Sequence, residues 1–229
     1  MAGMSPFTYL AHLLAVAATV LILVWSTHYR GGLALNSTNK ALIFNVHPVL
    51  MLIGIIVIGG EATMSYRSLP GSREARKRVH LMLHGLALAM GAVGIYAVFK
   101  FHDDSKIPNM YSLHSWVGLG TFCLYGIQWI LGFVTFFFPG ASVSARQSII
   151  PWHAILGLFI YILAIGNAQL GFLEKLTFLQ LLNKLDRYGS EALLVNFTVL
   201  VVLFLGAAVV LSTVNFKANR LESQKSIGL

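Results

Sequence analysis

Six apolar stretches of about 20 residues recur along the chain, and a helix of that length crosses the roughly 30 Å hydrocarbon core of a bilayer. The stretches cover Phe7–Trp25, Ala41–Met64, Val79–Phe99, Ser112–Phe138, Pro151–Phe172 and Ala192–Val214. Of the 229 residues, 57% are hydrophobic and 10% are charged, which leaves too little polar surface to coat a soluble globule. The chain is therefore predicted to be an all-α integral membrane protein with six transmembrane helices.

The segments between these stretches are short, so we expect residues 1–229 to form a single six-helix domain. If the helices alternate in direction, the side that holds both termini carries nine Lys and Arg residues, against seven on the other side. The densest basic cluster, Arg73 with Arg76, Lys77 and Arg78, lies on the first of these sides. Because basic loops are retained in the cytoplasm, we expect both termini to be cytoplasmic.

Four histidines lie near the starts of successive apolar stretches, spaced 33, 34 and 39 residues apart: His47, His80, His114 and His153. An ionisable side chain inside a membrane is costly, and it usually marks a functional site. Alternating helices bring His47 and His114 to the non-cytoplasmic level, and they bring His80 and His153 to the cytoplasmic level. His84 lies one turn beyond His80 on the same face and is the alternative to it, although His80 better matches the depth of His153.

Two imidazoles from different helices suit the two axial positions of a haem iron, and such a filled centre transfers electrons rather than activating oxygen. Cys123 is the only cysteine, so iron–sulfur and thiolate–zinc sites lack ligands. The competing class is a histidine-lined transition-metal or proton transporter without haem. Such a path needs acidic residues near its middle, and the chain offers only Glu61. A purely structural membrane protein would leave the paired depths unexplained.

Motifs around these histidines closely resemble the cytochrome b561 family. They are the runs FNVHP at 44–48, YSLHSW at 111–116 and FPGAS at 138–142, the pair His80 and His84, and His153. The resemblance implies a six-helix protein, usually a homodimer, with two non-covalent b-type haems held within helices two to five. It makes His80 and His153 the ligands of the cytoplasmic haem. It makes His47 and His114 the ligands of the non-cytoplasmic haem.

The resemblance also implies an oxidoreductase of the ascorbate ferrireductase or monodehydroascorbate reductase type. Such a protein carries electrons across a membrane from cytoplasmic ascorbate to monodehydroascorbate or a ferric chelate. The membrane would be an endomembrane, vacuolar or vesicular, or the plasma membrane. The formal charge of +8 fits loop topology and anion binding, and no other feature indicates a nucleic-acid partner.

Ascorbate is a monoanion at neutral pH, so a site for it needs positive charge. The candidate ascorbate-binding residues are Arg67, Arg73, Lys77, Arg78 and Arg146, and the resemblance favours Arg73, Lys77 and Arg146. The alternative is a loop that is basic for topology alone.

On the non-cytoplasmic side, the resemblance makes Phe101, His102 and Tyr111 the candidate acceptor-binding residues. A neutral His102 nitrogen could accept a proton or bind a ferric complex. The alternative is an ordinary polar loop with an interfacial tyrosine.

Overall fold

The computed structural model describes residues 4–182 and 184–214, and within them the chain is helical with no strand. Six helices of this part are long and apolar enough to cross a membrane, which confirms the predicted fold class. They are α1 (Pro6–Tyr29), α2 (Lys40–Ser68), α3 (Arg73–Ser105), α4 (Leu113–Phe136), α5 (Val143–Leu182) and α6 (Ser190–Thr213). Lys217, Arg220 and Lys225, which entered the charge comparison, lie outside the described residues.

Two of the helices are much longer than their apolar stretches. α5 begins at Val143 and ends at Leu182, whereas the sequence predicted a helix over 151–172. α3 begins at Arg73, six residues before its predicted start, because the Ser72 side chain caps its first turn. Helices of 33 and 40 residues are about 50 and 60 Å long, so their polar ends extend beyond a hydrocarbon core of roughly 30 Å.

Consecutive helices form two antiparallel hairpins, α2 with α3 and α4 with α5, and the hairpins lie side by side. α1 and α6 pack against each other and against the hairpins. Polar contacts join α1 to α6 near both ends: the hydroxyls of Thr8 and Ser212 are 2.7 Å apart, and the Glu191 carboxylate accepts hydrogen bonds from Trp25 and Arg30. The hairpins therefore form a four-helix unit that α1 and α6 flank.

The outward faces of the helices are apolar. Met82, Leu13 and Val16 are each more than 60% exposed, as is Trp152 at one end. Small residues such as Ala11 and Ala18 lie instead on the buried face of α1, where they allow close approach of neighbouring helices. An exterior of this kind matches lipid rather than water.

The middle of α2 departs from regular α-helix. Residues Met51–Ile58 are π-helical, starting three residues after Pro48, which has no N–H to donate to the helix. Such segments are frequent at functional sites. Here the segment separates His47 near one end of α2 from Ala62 near the other.

Candidate functional site

Two pairs of histidine rings face each other at two levels of the four-helix unit. We call the end that carries Arg73, Lys77 and Arg146 the basic end, and the end with loop 106–112 the far end. At the basic end, the ring centroids of His80 and His153 are 6.3 Å apart. At the far end, those of His47 and His114 are 6.1 Å apart.

These separations suit two imidazoles on one metal. A metal–imidazole nitrogen bond is about 2.0 Å long and the nitrogen lies about 1 Å from the ring centroid, so two axial rings have centroids about 6 Å apart. His84 is arranged differently, because its ring is only 4.4 Å from that of His80 and its Nδ1 lies 2.6 Å from the Tyr125 hydroxyl. The residues present therefore fit a haem at each level, with His80 rather than His84 opposite His153.

Backbone carbonyls of the neighbouring helix orient three of the four rings. Nδ1 of His47 is 3.1 Å from the Gly94 oxygen, that of His80 is 2.9 Å from the Ala62 oxygen, and that of His114 is 3.0 Å from the Asn167 oxygen. A ring that donates from Nδ1 presents an unprotonated Nε2 to a metal. His153 differs, because its Nδ1 lies 3.0 Å from Nε2 of Gln128, which also donates to the His153 carbonyl.

Two glycines leave room for the histidine rings. A Cβ on Gly171 would lie 2.7 Å from Cε1 of His114, closer than any ordinary contact. A Cβ on Gly132 would lie 3.0 Å from Cε1 of His153. At each level, one histidine ring therefore packs against a helix surface at which a glycine provides no side chain.

At the basic end, Arg73 and Lys77 lie on the face of α3 that also carries His80, since positions three and four residues apart share a face. Arg78 precedes His80 by two residues and points to the opposite side of the helix. Arg67 and Arg73 are exposed, whereas Arg146 is half-buried. Arg73 and Lys77 therefore share a helix face with His80, and Arg78 does not.

Lys77 contacts a residue that packs against His153. Its Nζ donates to the Phe136 carbonyl at 3.3 Å and lies 3.1 Å from a Glu74 carboxylate oxygen. The Phe136 ring packs edge-on against His153, with centroids 5.2 Å apart. A negatively charged molecule bound by Lys77 would thus lie beside the residues that surround the basic-end histidines.

At the far end, the three predicted acceptor residues lie together. Phe101 contacts His102, and His102 contacts Tyr111, with ring centroids 5.8 and 6.1 Å apart. Phe101 also packs on Phe44 at 5.2 Å, and Phe44 lies 6.5 Å from His47. Aromatic side chains therefore connect the loop surface to the far-end histidines.

The polar groups around this loop are held in place. His102 Nδ1 lies 3.0 Å from Oδ1 of Asn109. Partial burial raises the pKa of the Tyr111 hydroxyl, and the neighbouring Glu174 carboxylate raises it further. The Tyr111 hydroxyl therefore stays protonated and can donate a hydrogen bond.

Sequence reasoning missed two features of this region and its surroundings. His12 on α1 has its Nδ1 2.8 Å from a Glu61 carboxylate oxygen on α2. No local sequence pattern indicates this contact, because it joins two helices. Lys175, assigned to a loop, lies on α5 with its Nζ 3.8 Å from the Phe44 ring centroid.

Several known proteins are similar to this chain over most of its length. The family model described as eukaryotic cytochrome b561 matches residues 46–179. "Ascorbate-specific transmembrane electron transporter 1" from Zea mays is 64% identical over 92% of this chain and 89% of its own length. "Transmembrane ascorbate ferrireductase 1" from Arabidopsis thaliana is 60% identical over 90% and 85%. "Transmembrane ascorbate-dependent reductase CYB561" from Sus scrofa is 41% identical over 89% and 78%.

Proposed function

This chain belongs to the eukaryotic cytochrome b561 family, and we propose that it transfers single electrons across a membrane from cytoplasmic ascorbate to monodehydroascorbate or a ferric chelate. Membership of the family implies b-type haem as the cofactor. We propose two haems per chain. When bound, each haem would supply an iron that gains and loses one electron.

The observation that carries the proposal is the pair of facing histidine sites. In this proposal, His80 and His153 hold the haem at the basic end, and His47 and His114 hold the haem at the far end. The ring separations of 6.3 and 6.1 Å support it, as do the Nδ1 contacts that leave Nε2 of three rings available. Two separate two-ligand sites favour haem over the alternative of a continuous histidine-lined transport path.

The ascorbate site is proposed at the basic end, around Arg73, Lys77 and Arg146. Cations there neutralise the ascorbate anion and orient its oxygens through charge-assisted hydrogen bonds. The contact between Lys77 and Phe136 supports this position, because Phe136 packs on His153. Ascorbate held by Lys77 would be close to the basic-end site while remaining accessible from the aqueous side.

The acceptor site is proposed at the far end, around Phe101, His102 and Tyr111. Tyr111 offers a hydroxyl that remains protonated, and His102 offers a nitrogen that can bind a ferric complex or accept a proton. The aromatic contacts from Phe101 through Phe44 to His47 support this assignment, because they connect the loop to the far-end site.

We further propose that the basic end faces the cytoplasm, which places both termini there. The positive-inside rule supports this orientation. Residues 1–229 are proposed to act as one domain and the protein as a homodimer, in an endomembrane, vacuolar or vesicular, or in the plasma membrane. Family membership supports the dimer, and the six apolar helices support a multi-pass membrane protein.

The experiment is a reduced-minus-oxidised spectrum of the purified full chain, with haem quantified per polypeptide, followed by addition of ascorbate. We expect two b-type haems per chain, of which ascorbate rapidly reduces at least one. His114→Leu and His153→Leu should each remove one haem and leave the other spectrum in place. His80→Leu should behave like His153→Leu, whereas His84→Gln should retain both haems.

His28→Gln is the matched control, because His28 is exposed at the end of α1 and contacts Tyr29 rather than a second histidine. It should bind two haems. A colourless wild-type protein, or equal haem loss in the His28→Gln and His114→Leu variants, would contradict the proposal. The first of these results would favour the transporter alternative.

A further inference from the structure

Lys175 lies beside the far-end histidine site. Its Nζ is 3.8 Å from the Phe44 ring centroid, and that ring is 6.5 Å from His47, so the ammonium is within about 10 Å of the His47 ring. Gly171, one turn earlier on α5, faces the ring of His114. Lys175 therefore lies one helical turn outside the far-end site, toward the surface of that end.

The carboxylates around Lys175 are already engaged. Its charged neighbours include Arg30 and Glu191. Arg30 repels an ammonium, and the Glu191 carboxylate is bound by both Arg30 and Trp25. Glu174 accepts a hydrogen bond from Ser112 at 3.0 Å.

Within residues 4–182 and 184–214, Lys175 makes no ion pair within 4.0 Å. A half-buried ammonium without a counter-ion is costly, and the face of an aromatic ring stabilises it without neutralising it. Its position is therefore suited to an anion that arrives with a ligand.

We propose that Lys175 is the cation of a carboxylate subsite at the far-end haem pocket. The inference deepens the proposed function and rests on it. An ammonium has three donors and binds a carboxylate through charge-assisted hydrogen bonds. The carboxylate has two possible sources: a propionate of the far-end haem, or a carboxylate of the ferric chelate that is reduced at this end.

The test compares the purified, haem-loaded wild type with Lys175→Met, which removes the charge but keeps an unbranched apolar side chain. Lys175→Arg keeps the charge, and Lys175→Gln is a second neutral variant. Arg187→Gln is the matched control, because it removes one positive charge from an exposed position in the loop of the same end. Two quantities are measured: the midpoint potential of the far-end haem, and KM for ferric citrate and for cationic hexaammineruthenium(III).

A propionate partner predicts that the potential of the far-end haem falls in the neutral variants, because loss of a nearby positive charge favours the ferric state. A tenfold change in the reduction equilibrium corresponds to about 59 mV for one electron. A chelate partner predicts instead that KM for ferric citrate rises about tenfold while KM for hexaammineruthenium(III) does not. Lys175→Arg should restore the wild-type value in either case.

If Lys175→Met and Lys175→Gln match the wild type and Arg187→Gln in both quantities, the subsite does not exist. Loss of haem from both neutral variants but not from Lys175→Arg would support the propionate source. Loss of haem from Lys175→Arg as well would overturn the proposal, because charge would not be the cause. A wild-type protein without a far-end haem refutes the proposed function instead, so the two failures are distinguishable.

Discussion

Replacing Gly171 by alanine should selectively release the far-end haem. The added Cβ would lie 2.7 Å from Cε1 of His114 and 3.1 Å from both ring nitrogens. The ring must then move by about 0.7 Å to reach an ordinary contact, which also disturbs its 3.0 Å contact with the Asn167 carbonyl. Overpacking of this kind costs roughly 1–3 kcal/mol, or about 5- to 150-fold in haem affinity.

The assay is haem transfer from the purified protein to excess apomyoglobin, followed by the absorbance of each haem component. We expect the far-end component to leave Gly171→Ala about 5- to 150-fold faster than it leaves the wild type. The basic-end component should leave at the wild-type rate. Gly132→Ala should have a smaller effect, and at the basic end, because its Cβ would lie 3.0 Å from the nearest atom of His153.

Gly166→Ala separates this clash from a general effect on α5. A Cβ at position 166 meets nothing within 4 Å, and alanine is favoured over glycine inside a helix by roughly 0.5–1 kcal/mol. That variant should hold both haems at least as long as the wild type. If Gly171→Ala also retained both haems at wild-type rates, the far-end cofactor would not depend on the His114 ring, and the reasoning would be refuted.

Three further changes address the two ends and the contact between α1 and α2. Lys77→Gln should raise KM for ascorbate about tenfold and retain both haems. Arg78→Gln, on the opposite face of α3, should leave KM for ascorbate unchanged. Stopped-flow measurement of haem reduction tests both expectations. Tyr111→Phe should raise KM for a ferric chelate but leave its pH dependence unchanged between about pH 6 and 9. The pKa of this hydroxyl is raised above its ordinary value of about 10, so the hydroxyl stays protonated throughout this pH range. A step in the pH profile of the wild type that is absent from Tyr111→Phe would contradict this expectation. Glu61→Gln should weaken the contact with His12 and lower the thermal unfolding midpoint by a few degrees. The variant should keep both haems. Loss of haem before unfolding would instead show that the pair acts on the cofactor site.

The sequence allowed the number of spanning helices to be predicted because each crosses the bilayer as a run of apolar residues. It also predicted that His47 and His114 share a level, since this follows from alternating helix direction alone. The predicted ends of α5 were wrong, because hydropathy indicates only the part of a helix that lies inside lipid. Pro151, taken as the start of that helix, lies within it.

The missing parts of the site depend on contacts between residues distant in sequence. Depth already favoured His80 over His84, but the contact that holds the His84 ring required the position of Tyr125. The contact between His12 and Glu61 required the packing of α1 on α2. Lys175 looked like a charged loop residue until the length of α5 placed it beside Phe44. Periodicity and spacing contain no information about such contacts.

The arrangement of the two hairpins has a consequence for how the protein is assembled. Each histidine level takes one ring from the α2–α3 hairpin and one from the α4–α5 hairpin, so neither hairpin contains a complete site. Within each hairpin, a helix that supplies a ring to one level also contacts the ring at the other level, as Ala62 of α2 does for His80. During synthesis, the far-end level therefore has both of its rings only once α4 has been made, and the basic-end level only once α5 has been made. Cofactor insertion then becomes a late step that joins the two halves of the bundle.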